Sequence, residues 1–168
     1  IPAGQWEGIV IHHSASPAGS PATIARQHED RGLKGLGYHF VIGNGQGAPD
    51  GQIHIGYRWD YQLPGAHTAG PNSDYYNRRT IGICLVGNFD VQRPTAAQQQ
   101  SLAKLVAYLM KTYNIPPERI VAHGSTKATD CPGRNVSIAA VRKNATQVLI
   151  AEGTPIPSGT GLASNAEL

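Results

Sequence analysis

The chain has 168 residues, 40% hydrophobic and 15% charged, with a formal net charge of +3. That length suits one domain, burying about two-thirds of its unfolded surface. The Lys and Arg residues are scattered, with Arg78-Arg79 and Arg142-Lys143 the only adjacent pairs. This argues against a nucleic-acid binder, and no run nears the roughly 18 apolar residues of a membrane span, so neither nucleic acid nor membrane insertion is expected.

Taken in chain order, "GIVIHH" (8–13) is a β-branched run that reads as a buried strand. "SPATIARQHEDRG" reads as a helix, with Ser20 as cap, Pro21 at its first position and Gly32 at its end. "GYHFVIG" (37–43) and "GQIHIGYRW" (51–59) are expected to be strands, and the turn-rich "NGQGAPDG" between them predicts an antiparallel hairpin. Residues 60–78 lack periodicity and read as a long loop. "TIGICLVGNF" (80–89), apolar on both alternations, is expected to be a central strand covered on two faces.

"TAAQQQSLAKLVAYLMKTYNIPP" (95–117) is the clearest helix, with Leu102, Leu105, Val106, Leu109 and Met110 at helical spacing and Thr95 as cap. "RIVAH" (119–123) reads as a last strand delivering His123, and "VSIAAVRKNATQVLIAEG" (136–153) as a last helix. Strands alternating with helices predict an α/β fold, a sheet with helices on its faces. The division expected is a domain over residues 1–151 and a Pro/Gly/Ser-rich tail or linker over 152–168. No secretory leader is seen before Ile1, as expected also of a mature chain that had lost one.

The chain has two cysteines, Cys84 and Cys131, too few for a disulfide framework. Cys84 lies within the apolar central run, where a buried inert thiol is the ordinary reading. Cys131 lies instead in the polar loop "HGSTKATDCPG", which begins at His123. Three readings stand on the residues alone. His12, His13 and His123 can be hydrogen-bonded core histidines, and Cys131 can pair with Cys84. Alternatively, one of His12 and His13, with His123 and Cys131, can hold a zinc ion with a fourth position left to water. Strand alternation allows only one of the two adjacent histidines to share that site.

The ordered motifs "IVIHHSAS", "GLGYHFVI", "GAHTAG", "YNRRTIGICLVGNF" and "VAHGSTKATDCPG" resemble the zinc-dependent N-acetylmuramoyl-L-alanine amidases of type 2. That superfamily includes phage lysozyme-type amidases and peptidoglycan recognition proteins. The resemblance covers residues 8 to about 135. It implies a mixed β-sheet flanked by helices in a single domain, with a zinc-containing cleft for peptidoglycan or muropeptides. Matched motif by motif, it implies His12, His123 and Cys131 as ligands of one Zn2+. It implies Tyr38 and Thr129 as catalytic residues, and His67 and Asn77 as positions lining the cleft.

The implied reaction is hydrolysis of the amide between N-acetylmuramic acid and L-alanine. The Tyr38 and Thr129 hydroxyls would orient water or bind the oxyanion, and His67 would assist proton transfer. His13 is then expected to point away from the metal, and His28, His39 and His54 to be structural. The segment between His67 and Asn77 is longer than the family's usual one by the stretch "PNSDY". Cys84 stands where the muropeptide-recycling branch has glutamate, and that branch also tends to use aspartate as third ligand. The two cysteines therefore align the chain with the phage and recognition-protein branches. The expected setting is a monomer acting outside the cytoplasm or in the periplasm, or a phage product acting on the cell wall. A non-catalytic peptidoglycan-binding module on the same fold is the alternative.

Overall fold

The computed structural model of the chain describes residues 5–159. Among these residues five strands form one mixed sheet: β1 (Gly8–His13), β2 (Phe40–Ile42), β3 (Ile53–Ile55), β4 (Thr80–Leu85) and β5 (Ile120–Ala122). They lie in the order β3-β2-β4-β1-β5, so β4 and β1 are flanked on both sides. β1 runs parallel to both β4 and β5, β2 runs parallel to β4, and only the β2–β3 hairpin is antiparallel. The expected α/β class and hairpin are present, and the central strand expected over 80–89 is Thr80–Leu85.

Alternation along the strands divides the interior into two layers. Ile9 and Ile11 of β1, Phe40 and Ile42 of β2, and Ile81, Ile83 and Leu85 of β4 face the larger core. There they meet two helices, α4 (Ala96–Tyr113) and α5 (Ile138–Ala151), through Leu102, Val106, Leu109, Val141 and Leu149. Val41 and Cys84 face the opposite layer, where they pack with Ile24 of α1 (Pro21–Asp30) and Leu36. Burying an aliphatic side chain of this size stabilises the fold by about 1.5–3 kcal/mol. The larger core is therefore the main source of stability, and the thinner opposite layer leaves room for polar side chains.

Both expected caps are in place. Ser20 and Thr23 form a reciprocal capping box at α1, and Thr95 and Gln98 form another at α4. Three segments depart from the expected reading. The strand expected over 37–43 is only Phe40–Ile42, because the Gly37 N–H donates to Nδ1 of His28 at 2.8 Å instead of entering a ladder. The strand expected over 51–59 ends at Ile55, and Tyr57–Asp60 forms a helical turn, α2. That turn brings Trp59 against Phe40, with ring centroids 4.9 Å apart, while Arg58 donates to the carbonyls of Leu36 and Pro64.

The loop expected over 60–78 contains a helix, α3 (Ser73–Arg79), which carries an exposed Asp74–Arg78 pair and buries none of its own residues. With no buried stripe it carries no apolar periodicity to read. At the C-terminal end α5 closes at Ala151. Residues 154–159 are irregular, and the rest of the expected tail lies outside the described residues. No helix among the described residues is long and apolar enough to cross a membrane.

Candidate metal centre

The site forms at the carboxyl ends of two neighbouring parallel strands, the usual ligand-binding edge of a sheet that contains parallel strands. β1 ends in His12 and His13, and β5 ends one residue before His123, which opens a short 3-10 turn. Alternation sends the two adjacent histidines to opposite layers. His13 joins the larger core, where its Nδ1 accepts the Phe89 N–H at 3.1 Å. His12, paired across the sheet with Cys84, faces the other layer and the His123 ring, with centroids 4.4 Å apart. His12, and not His13, therefore lies in the layer of the His123 ring.

Cys131 returns to this point at the end of loop 124–130. The Gly124 N–H donates to the Cys131 carbonyl at 3.0 Å, and the His13 N–H donates to Cys131 Sγ at 3.4 Å. Both cysteines are free, so the Cys84–Cys131 pairing is not formed. One donor atom from each of His12, His123 and Cys131 lies within 4.8 Å of the others. Cys131 Sγ lies 3.8 Å from His12 Nδ1.

Burial sets the charge states. It pushes the His12 imidazole well below its usual range, helped by the neighbouring His67 and His123. Burial, then Lys127 and His13, holds His123 down at about 4. Both rings are thus neutral near pH 7, the form that binds metal. Burial pushes the Cys131 thiol up to about 11, so in the bare protein it keeps its proton. A divalent cation reverses that preference by stabilising the thiolate.

The residues fit such a cation. Two neutral imidazoles and one thiol are a borderline-soft donor set, and three protein ligands leave a fourth position open, as in catalytic zinc sites. His123 Nε2 is also the one buried side-chain nitrogen or oxygen without a hydrogen-bond partner among the described residues. A packed core ordinarily satisfies such an atom.

The other expected site residues are distributed unequally. The Tyr38 ring lies 4.9 Å from His12 and 5.1 Å from His28. Burial first, then Cys84 and Cys131, pushes its phenol well above its usual range. Tyr38 is therefore a neutral donor beside the metal position. Thr129 is exposed in the Cys131 loop, and its hydroxyl accepts the Cys131 N–H at 3.3 Å.

His67 and Asn77 are both tied into hydrogen bonds within the protein. His67 is only 5% exposed, and both its ring nitrogens are engaged, one with His12 at 3.0 Å and the other with the Thr80 carbonyl at 3.1 Å. Asn77 Oδ1 accepts the N–H groups of His67 and Thr68, and its Nδ2 donates to the Thr68 carbonyl. His39 is structural in the expected sense, accepting the Gly82 N–H and donating to Leu63. His28 likewise accepts the Gly37 N–H.

Two residues escape a reading of the sequence. The Thr126 hydroxyl donates to the His123 carbonyl at 2.9 Å and meets the Thr68 hydroxyl at 2.7 Å, tying the two loops that flank the site. Both threonines sit in loop segments beside expected site histidines. Nothing in their spacing indicates that they touch.

Residues 2–134 match the family model described as N-acetylmuramoyl-L-alanine amidase. The chain is 31% identical over 137 residues to a peptidoglycan-recognition protein of Drosophila simulans, covering 76% of this chain and 69% of that protein. It is 32% identical over 139 residues to the endolysin of Enterobacteria phage T3, covering 78% and 83% respectively. Among solved structures it is similar to the N-acetylmuramoyl-L-alanine amidase LysC from Clostridium intestinale URNW. That match has a TM-score of 0.73 and 32% identity, over 84% of this chain and 86% of that one.

Proposed function

Since this chain belongs to the N-acetylmuramoyl-L-alanine amidase family, we propose that it cleaves the amide joining N-acetylmuramic acid to L-alanine in peptidoglycan, with one zinc ion held by His12, His123 and Cys131. The convergence of those three donors within 4.8 Å, beside an unpartnered buried imidazole nitrogen, is the observation that carries this reading. A bound zinc would supply an activated water near neutral pH and polarise the scissile carbonyl.

The chain's own residues have separate tasks. His12 and His123 offer neutral nitrogens because burial disfavours their charged forms. The N–H of His13 points at Cys131 Sγ and favours the thiolate there. Tyr38, kept protonated by burial, can donate a hydrogen bond to the oxyanion as negative charge develops, the interaction that lowers such a barrier. Thr129, two residues before Cys131, is the second hydroxyl proposed to assist, from the exposed side. The substrate is a cell-wall polymer, so the proposed place of action is outside the cytoplasm.

The alternative, a recognition module that binds peptidoglycan without cutting it, makes a different product prediction. Mass spectrometry of peptidoglycan treated with the zinc-loaded protein should show free stem peptides beginning with L-alanine and uncut glycan strands. Retention of the protein on the polymer with no released peptide supports the binding module and overturns the amidase reading.

A further inference from the structure

We propose that His67 is a positioning residue that holds the His12 ring with Nδ1 toward the metal, and that Asn77 in turn holds His67. This rests on the metal site proposed above and assigns a task to two side chains beside it.

The hydrogen-bond chain has only one consistent set of protons. The Thr80 carbonyl can only accept, so His67 Nε2, 3.1 Å away, carries the hydrogen. An imidazole only 5% exposed, with hydrogen-bond partners that include no acidic group, carries a single ring hydrogen, so His67 Nδ1 is bare. His12 Nε2, 3.0 Å from that atom, must therefore be the donor. His12 is left with a bare Nδ1, the atom that lies 3.8 Å from Cys131 Sγ. The strand carbonyl thus fixes the tautomer of the first ligand through a second imidazole.

The surroundings hold His67 in that pose. Its ring stands edge-on to His12, at an interplanar angle of 86° and a centroid separation of 5.0 Å. Two glycines make room for it: a Cβ at Gly82 would lie 2.6 Å from His67 Cγ, and one at Gly65 would lie 2.4 Å from Cδ2. Asn77 fixes the backbone, accepting the His67 and Thr68 N–H groups at 2.9 and 3.1 Å. The Gly65 N–H donates to the Asn77 carbonyl at 2.8 Å. A ring so enclosed is placed to act on the metal through its ligand.

The test compares His67→Leu, which can neither accept nor donate, with His67→Gln, which can do both. Zinc affinity is measured by competition with a chromophoric chelator, the cobalt-substituted absorption spectrum reports ligand geometry, and urea unfolding reports stability. We expect folded His67→Leu to bind zinc about 10–100-fold more weakly with an altered cobalt spectrum, and His67→Gln to lose much less. Folded His67→Leu with wild-type affinity and spectrum overturns the positioning role alone. Wild-type protein that binds no zinc overturns the metal reading beneath it.

Should His67→Leu fail to fold, long-range proton–nitrogen correlation spectra of the zinc-free wild type decide the matter. His12 protonated on Nε2, with its Nδ1 resonance moving on zinc addition, supports the proposal. His12 protonated on Nδ1 overturns it.

Discussion

The backbone of Gly82 lies directly against the His67 imidazole, so close that an added Cβ would stand 2.6 Å from Cγ and 2.7 Å from Cδ2. β4 is paired on both sides, to β1 and β2, so its backbone cannot retreat. Gly82→Ala must therefore displace the ring. We expect a destabilisation of about 1–3 kcal/mol, typical of overpacking, together with weakened zinc binding. Urea midpoints and chelator competition check both, and a variant unchanged in each would show that the close approach is easily relieved.

The two neighbouring histidines should separate cleanly. His12→Ala removes one of three proposed ligands, so zinc content and amide hydrolysis should fall together. His13→Ala leaves the Phe89 N–H without its acceptor in the larger core, which should cost about 1–3 kcal/mol of stability while zinc stays near one per chain. A folded but zinc-free His13→Ala beside a zinc-replete His12→Ala would reverse the assignment.

Tyr38→Phe removes only the hydroxyl, while the ring that packs beside His12 is kept. Zinc binding should persist, while turnover drops on the order of 10²-fold, the scale of one lost oxyanion donor. Thr129→Ala, in the exposed loop, should show a milder loss. Metal analysis and steady-state rates read both, and unchanged turnover in the two variants would remove the hydroxyls from the chemical step.

Stability should depend on pH through buried imidazoles. Burial holds His28 and His39 at about 4, below the unfolded value near 6.5, and His123 and His67 are lowered in the same direction. Between those values the unfolded chain takes up protons that the folded chain refuses. The stabilisation is therefore complete above about pH 6.5 and declines as pH falls toward 4. Urea midpoints taken in chelator, which removes any contribution from zinc release, should fall steadily across that range. A flat profile would mean that these rings accept protons in the folded state.

What the sequence discloses depends on how local the controlling interaction is. β1 announces itself by a β-branched run, and α4 by apolar residues at helical spacing with Thr95 ahead of them. By contrast, α3 buries nothing, so its residues carry no periodic mark and its place reads as loop. Trp59 could belong to a strand by pattern, and only its packing beside Trp6, Phe40 and Tyr113 requires the helical turn. The proposed ligand set was readable because motif order supplied what spacing alone left open between metal and disulfide. The roles proposed for His67 and Asn77 were not readable, since they follow from a hydrogen-bond chain between β1, β4 and the 65–68 loop that no short motif contains.

The most direct test of the central claim is a zinc titration of the chelated protein, following new L-alanine amino termini released from peptidoglycan. The account predicts no release without metal, a rise proportional to added zinc, and saturation at one equivalent per chain, with Cys131→Ser displaced far to higher zinc. Release at full rate in the chelated protein, or none at any zinc concentration from a protein that binds it, would contradict the account.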